Sequence, residues 1–185
     1  MNPNIRLSQG EKVLGTKYTI LDFWQWGFSN LLTNNLRGIF AEFLVASALG
    51  TLNQSRIEWD AYDLIYKDKK IEVKSSAYIQ AWYSGKPSKI SFSIGHKREF
   101  DYETNKYSPD AKRNADIYVF CLLKEKDPTI INPQDTSQWE FYIVPTTKLN
   151  DTFPHQKSLT LSSLQKVGEP ILYSDIKKII GGFCS

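Results

Sequence analysis

The chain has 185 residues, with 23 Lys and Arg against 20 Asp and Glu, a net charge of +3 and a pI near 8.7. Its hydrophobic share of 41% and aromatic share of 14% exclude a disordered chain and are enough to build a real core. Cys121 and Cys184 make no disulfide framework, residues 1–20 lack a signal-peptide core, and no apolar run approaches a membrane span, so a cytoplasmic protein without membrane association is expected.

In chain order, Tyr18 to Leu32 is rich in large apolar groups around Trp24, Trp26 and Phe28, with Gly27 and Asn30 as interruptions. One or two short helices are expected there, packed on the core or on a partner, with core packing the favoured role. Leu36 to Gly50 reads as a helix, with Asn34 or Asn35 as N-cap and Gly50 as the stop. From Ile39 to Leu49 it is apolar on almost every side, and Glu42 is the one ionisable residue in that run. A buried carboxylate is costly unless paired or bound to a metal. Gly38 and Ala46, one turn away on either side, leave room for another group to approach Glu42. The plain alternative is a glutamate at the rim of the apolar face, or one paired with Arg37.

Trp59 to Lys74 reads as two short strands, Asp63–Tyr66 and Ile71–Lys74, joined by the polar loop Lys67-Asp68-Lys69-Lys70. Side chains alternate along a strand, so Glu72 and Lys74 share a face. A four-residue loop pairs Tyr66 with Ile71 and Asp63 with Lys74, which sets Asp63 on that face, diagonal to Glu72. A one-residue slip would send Asp63 to the other face. Two carboxylates beside a lysine can hold a divalent ion and a water at a phosphate. The tripeptide of acid, any residue, lysine also occurs at Asp68–Lys70, Asp110–Lys112 and Asp175–Lys177. Taken alone it describes the solvated face of a half-buried sheet.

Ser75 to Trp82 continues the strand or bends away from it; in a straight strand Gln80 shares parity with Glu72 and Lys74. Ile90 to Ile94 alternates as a strand. His96 to Asn114 reads as a long irregular segment in which Lys97, Arg98, Lys106, Lys112 and Arg113 interleave with Phe100, Tyr102 and Tyr107. Positive charges among aromatics suit phosphate contact and base stacking, and the segment is expected to lie along a nucleic acid. Glu99, Asp101, Glu103 and Asp110 offset much of its charge, which equally fits a plain surface loop. Asp116 to Leu123 is a continuous apolar run, the mark of a strand buried on both faces. Lys124 to Gln138, with Pro128 and Pro133, is a connection; Trp139 to Pro145 is a further strand; Thr146 to Asn150 begins a short helix; and Asp175 to Ile180 is a last helix stopped by Gly181-Gly182. The expected fold is α/β, a central mixed β-sheet flanked by helices. The expected organisation is one domain, 1–185, with an N-terminal helical region at 1–33, a core at 34–150 and a C-terminal helical extension at 151–185.

The order of helical Glu42, then Asp63, then Glu72-Val73-Lys74, then Gln80 resembles the PD-(D/E)XK nuclease superfamily, which holds restriction endonuclease-like enzymes, Holliday-junction resolvases and repair nucleases. The resemblance covers roughly residues 36–82 and departs from the superfamily's name at Tyr62, where a proline would stand. It implies a restriction endonuclease-like core and a nuclease that hydrolyses phosphodiester bonds in DNA, with an endonuclease of restriction or repair type expected. It implies Mg2+ or Mn2+ held by Asp63, Glu72 and the Val73 carbonyl, with Asp60 as a rival ligand. Lys74 becomes the catalytic lysine, Glu42 the helical acid and Gln80 an accessory polar residue. Lys97, Arg98, Lys112 and Arg113 become candidate contacts to DNA. Many enzymes of this architecture act as homodimers, since two-fold symmetry suits two antiparallel strands. Such chemistry requires no small-molecule organic cofactor, and His96, His155, Cys121 and Cys184 lack the spacing of a zinc site. Two other readings stand beside it: a catalytically inactive nucleic-acid-binding protein of the same fold, and a protein-interaction module that uses the Trp-rich N-terminus.

Overall fold

A computed structural model describes residues 6–53, 56, 62–101 and 105–184. Two helices come first, α1 (Ile20–Phe28) and α2 (Asn34–Leu49), followed by strands β1 (Leu64–Tyr66) and β2 (Lys69–Ala77). Next come β3 (Ser91–Ser93), β4 (Lys97–Asp101), β5 (Lys106–Lys112), β6 (Ile117–Leu123) and β7 (Trp139–Pro145). Then follow α3 (Thr146–Thr152), β8 (Ser158–Thr160), α4 (Leu161–Leu164) and α5 (Ile176–Gly181). The central sheet has the order β1-β2-β6-β7, with β2 parallel to β6 and the outer pairs antiparallel, so the fold is α/β with a mixed sheet flanked by helices.

The continuous apolar run of β6 is explained by its two neighbouring layers. Ile117, Val119, Cys121 and Leu123 join Ala41, Val45 and Leu49 of α2 and Ile176 and Ile180 of α5 in one core. Tyr118, Phe120 and Leu122 point the other way, into a second core with Phe92 of β3, Leu149 of α3, Leu159 of β8 and Leu164 of α4. Each such large side chain removed from water stabilises the fold by about 1.5–3 kcal/mol. Two faces of one strand therefore clamp both layers together.

The N-cap of α2 lies one residue before the nearer of the two asparagines considered for that role. Thr33 is its N-cap, without a side-chain hydrogen bond, and Gly50 ends it at φ 77° with its N–H bonded to the carbonyls of Ala46 and Ser47. Glycine is the residue that takes this left-handed conformation without a Cβ penalty. Helix α1 forms with a reciprocal cap between Thr19 and Asp22, but none of its residues is buried and Trp26 is 86% exposed. This corrects the expectation that its tryptophans pack in the core. Hydrophobicity marks a face that avoids water without saying whether anything covers it.

The hairpin of β1 and β2 has a tighter turn than expected. Tyr66 pairs with Lys69, Ile65 with Lys70 and Leu64 with Ile71, so the turn is the two residues Lys67 and Asp68. Both lie at positive φ, 46° and 65°, as a two-residue turn matched to the strand twist requires. Lys69 and Lys70 looked too polar to pair, yet they extend the ladder at a sheet edge where charge is tolerated. The register shifts by two residues rather than one, so side-chain parity survives. Asp63 stands one residue before the first paired residue of β1, with its N–H bonded to the Ile71 carbonyl and its carboxyl close enough to Glu72 for the two charges to interact.

The segment from His96 to Asn114 is not irregular. Strands β4 and β5 form an antiparallel ribbon in which Lys97 pairs with Lys112 and Phe100 with Tyr107, with a bulge between Arg98 and Phe100. Alternating charge and aromatics on a ribbon with little buried face gave no clear period-2 signal.

Candidate active site

Asp63 sits just before the first residue of β1, where the edge strand ends and the flank of β2 opens. Its N–H donates to the Ile71 carbonyl at 3.0 Å, and its Oδ2 accepts the Val73 N–H at 2.6 Å. The side chain thus takes over the ladder where the backbone of β1 leaves it. The N–H and C=O of one strand residue point to the same edge, so the Val73 carbonyl faces the flank that Asp63 occupies.

Glu72 lies on the sheet face shared with Tyr118, its neighbour on β6, and is 4% exposed. Its Oε1 accepts from the ammonium of Lys74, two residues on along the same face. The same oxygen accepts from Lys97 Nζ of β4 at 3.1 Å. Glu42 approaches from α2 and is held by the guanidinium of Arg56, whose Nη2 donates to Oε1 at 3.1 Å. Arg56, not Arg37, is therefore its partner.

Burial raises the Asp63 carboxyl to about 6, and the negative charges of Glu72 and Glu42 push in the same direction against the Val73 N–H and Lys74. The Tyr118 phenol beneath is also raised, by burial first and then by Glu72 and Asp63. Carboxylates this close in a partly dry place favour whatever brings positive charge to them: a proton, a lysine or a metal ion. The donors are all oxygen, the set magnesium and manganese take. Among the described residues no three His, Cys, Asp or Glu side chains converge into a metal cage. Two carboxylates and a carbonyl match an ion that keeps several waters and leaves room for a phosphate oxygen. The residues present fit such a cation.

Other candidate residues are placed differently. Strand β2 stops at Ala77, and Gln80 turns into a clasp: its Oε1 accepts from Arg37 Nη1 at 3.1 Å and its Nε2 donates to Ser88 Oγ at 3.0 Å. Its amide is committed there and does not share the face of Glu72 and Lys74. Arg113 is 6% exposed and donates to the carbonyls of Ile94, Phe153 and Gln156 and to Asn150 Oδ1. Its donors are consumed inside the fold, which corrects its assignment as a DNA contact: it is an internal staple. Arg98 and Lys112 are exposed on the ribbon, while Lys97 reaches back to Glu72. Asp60 lies outside the described residues, as do Tyr102 and Glu103. Sequence reading missed Lys97 and Arg56 as partners of the acids, because neither has a local pattern that ties it to them.

At the edge of the mixed sheet two acids and a lysine thus lie close together, with a helical acid near enough to act on Asp63. Residues 12–162 match the family model of bacteriophage T4 endonuclease IV. The chain belongs to that family, and hence to the endonucleases; the matched stretch contains Glu42, Asp63, Glu72 and Lys74. No curated protein matches the chain.

Proposed function

We propose that the chain is a metal-dependent endonuclease of the PD-(D/E)XK type that hydrolyses phosphodiester bonds in DNA, in restriction or repair. The observation that carries this reading is the proximity of Asp63, Glu72 and Lys74 within an endonuclease family. Asp63, Glu72 and the Val73 carbonyl would hold Mg2+ or Mn2+, which when bound polarises a phosphoryl oxygen and lowers the pKa of a bound water.

The remaining work falls to side chains. Glu72 orients the Lys74 ammonium through their hydrogen bond, so the cation stands where negative charge gathers on the phosphate as it is attacked. Lys97, 59% exposed at the outer rim of the same glutamate, offers a second ammonium to the phosphate oxygens. Glu42 adds negative potential at Asp63 and keeps it receptive to a cation. Arg98 and Lys112 on the ribbon would meet neighbouring phosphates. Action as a homodimer, one subunit per strand, belongs to the same proposal.

The test is incubation of plasmid and single-stranded DNA with the protein in Mg2+, in Mn2+ and in EDTA, with Asp63→Asn and Lys74→Ala as controls. Cleavage that needs the cation and disappears in both variants supports the reading. Shifted gel mobility with intact DNA would make it a binding protein of the same fold.

A further inference from the structure

Beyond the carboxylate site, a cleft of about 520 Å³ opens on the same side of the sheet. Tyr78, which follows the end of β2, forms one wall, and Lys89, Lys126, Thr160 and Ser162 bring the cations and hydroxyls. No carboxylate lines it. Its size falls within the range of small-ligand pockets, roughly 300–1,000 Å³. A ring, two ammonium groups and several hydroxyls are the complement of one nucleotide: a base to stack, a phosphate to neutralise, a sugar to hydrogen-bond.

The position of the cleft fits a strand already threaded through the carboxylate site. Tyr78 packs on the core that contains Tyr118 and Phe120, the face that carries Glu72. It lies four residues beyond Lys74, roughly 13 Å along an extended strand. The segment from Ser88 to Lys97 runs back between the two places: the Ser88 N–H donates to the Tyr78 carbonyl at 2.7 Å, and Lys97 ends at Glu72. Along that path β3 pairs with β8, with Phe92 and Leu159 buried beneath. Ser91, Ser93, Ser158 and Thr160 are left exposed on the outer face. A row of hydroxyls without carboxylates suits a sugar–phosphate backbone.

The wall is also pre-organised. Ser88 Oγ accepts from Gln80, whose carbonyl oxygen accepts from Arg37, a guanidinium 3% exposed at the start of α2. Lys126 Nζ stands 4.4 Å from the centre of the Tyr78 ring. We propose that this cleft is a nucleotide subsite, in which Tyr78 stacks an unpaired base a few positions from the cut while Lys126 and Lys89 take its phosphates. The hydroxyl row of β3 and β8 carries the backbone between subsite and carboxylates. The inference rests on the nuclease reading for its substrate. On entry of a nucleotide, the Lys126 ammonium moves from ring to phosphate and the base takes the ring face.

The experiment uses the full chain in EDTA, so that binding is read without cleavage, and an oligonucleotide with 2-aminopurine at successive positions. Stacking on Tyr78 quenches the fluorescence at one or two positions. Tyr78→Leu abolishes that quench and weakens binding about ten- to a hundredfold, the range of one lost base–aromatic stack. Tyr78→Phe keeps both, and Lys126→Gln lowers the salt dependence of binding by about one counterion. Equal quenching in wild type and Tyr78→Leu, no position-dependent quench at all, or an unchanged salt slope in Lys126→Gln would overturn the subsite. Intact DNA in Mg2+ and in Mn2+ with the wild-type chain would instead overturn the nuclease reading and leave the quench result standing.

Discussion

Replacing Asp63 by asparagine removes a charge that the folded chain holds at a cost. The carboxyl stands at about 6 in the folded state against an ordinary 3.8, because burial and then Glu72 and Glu42 disfavour its ionised form. The gap corresponds to about 3 kcal/mol at neutral pH. Part of that penalty is shared with Glu72, so about 2 kcal/mol is the expected gain. Asparagine keeps an oxygen for the Val73 N–H, so the hydrogen bond at the end of β1 persists. In EDTA at pH 8, Asp63→Asn should therefore melt about 4–8 °C above wild type for a chain of this size.

The sign follows from linkage. The folded state binds this proton more tightly than the unfolded chain, so the stability of the wild type falls as pH rises from about 4 to about 6 and is level above. The advantage of the variant should shrink over the same window on acidification. Mg2+ should raise the wild-type melting point by mass action and leave Asp63→Asn almost unmoved. Thermal denaturation at pH 4.5 and pH 8, with and without Mg2+, measures all of this. A variant less stable than wild type at pH 8, or a gap that ignores pH, would refute the argument that Asp63 is a strained charge awaiting a cation.

Lys74→Ala should lower kcat about a hundredfold or more with the fold intact, the usual cost of one group aimed at developing charge, as read by single-turnover cleavage. Lys67→Asn with Asp68→Gly should stabilise the chain by about 1 kcal/mol in urea denaturation, since both positions lie at positive φ. Insertion of one residue between them should instead abolish cleavage by sending Asp63 to the opposite face while circular dichroism stays native. Arg113→Ala should cost about 3 kcal/mol in urea denaturation by stranding the carbonyls of Ile94 and Phe153, with the DNA affinity of the folded protein unchanged.

What could be read from the sequence was what backbone geometry imposes locally. The run from Ile117 to Leu123 has no polar face, so it had to be a strand covered on both sides. Gly50 ends α2 because it tolerates the left-handed turn, and Glu72 and Lys74 share a face because a strand repeats every two residues. The turn, read as four residues and found to be two, shifted the pairing by an even number and so kept the side-chain parity of the paired residues of β1. What joins that face from afar was decided by packing. Lys97 reaches Glu72 across 25 positions, Arg56 takes Glu42, Arg113 is drawn inside, and Gln80 is captured by Arg37 and Ser88. Strand period and turn chemistry belong to neighbouring residues and are written in their order. The partners of a charge depend on which distant segments the two cores bring together, and no local pattern records that.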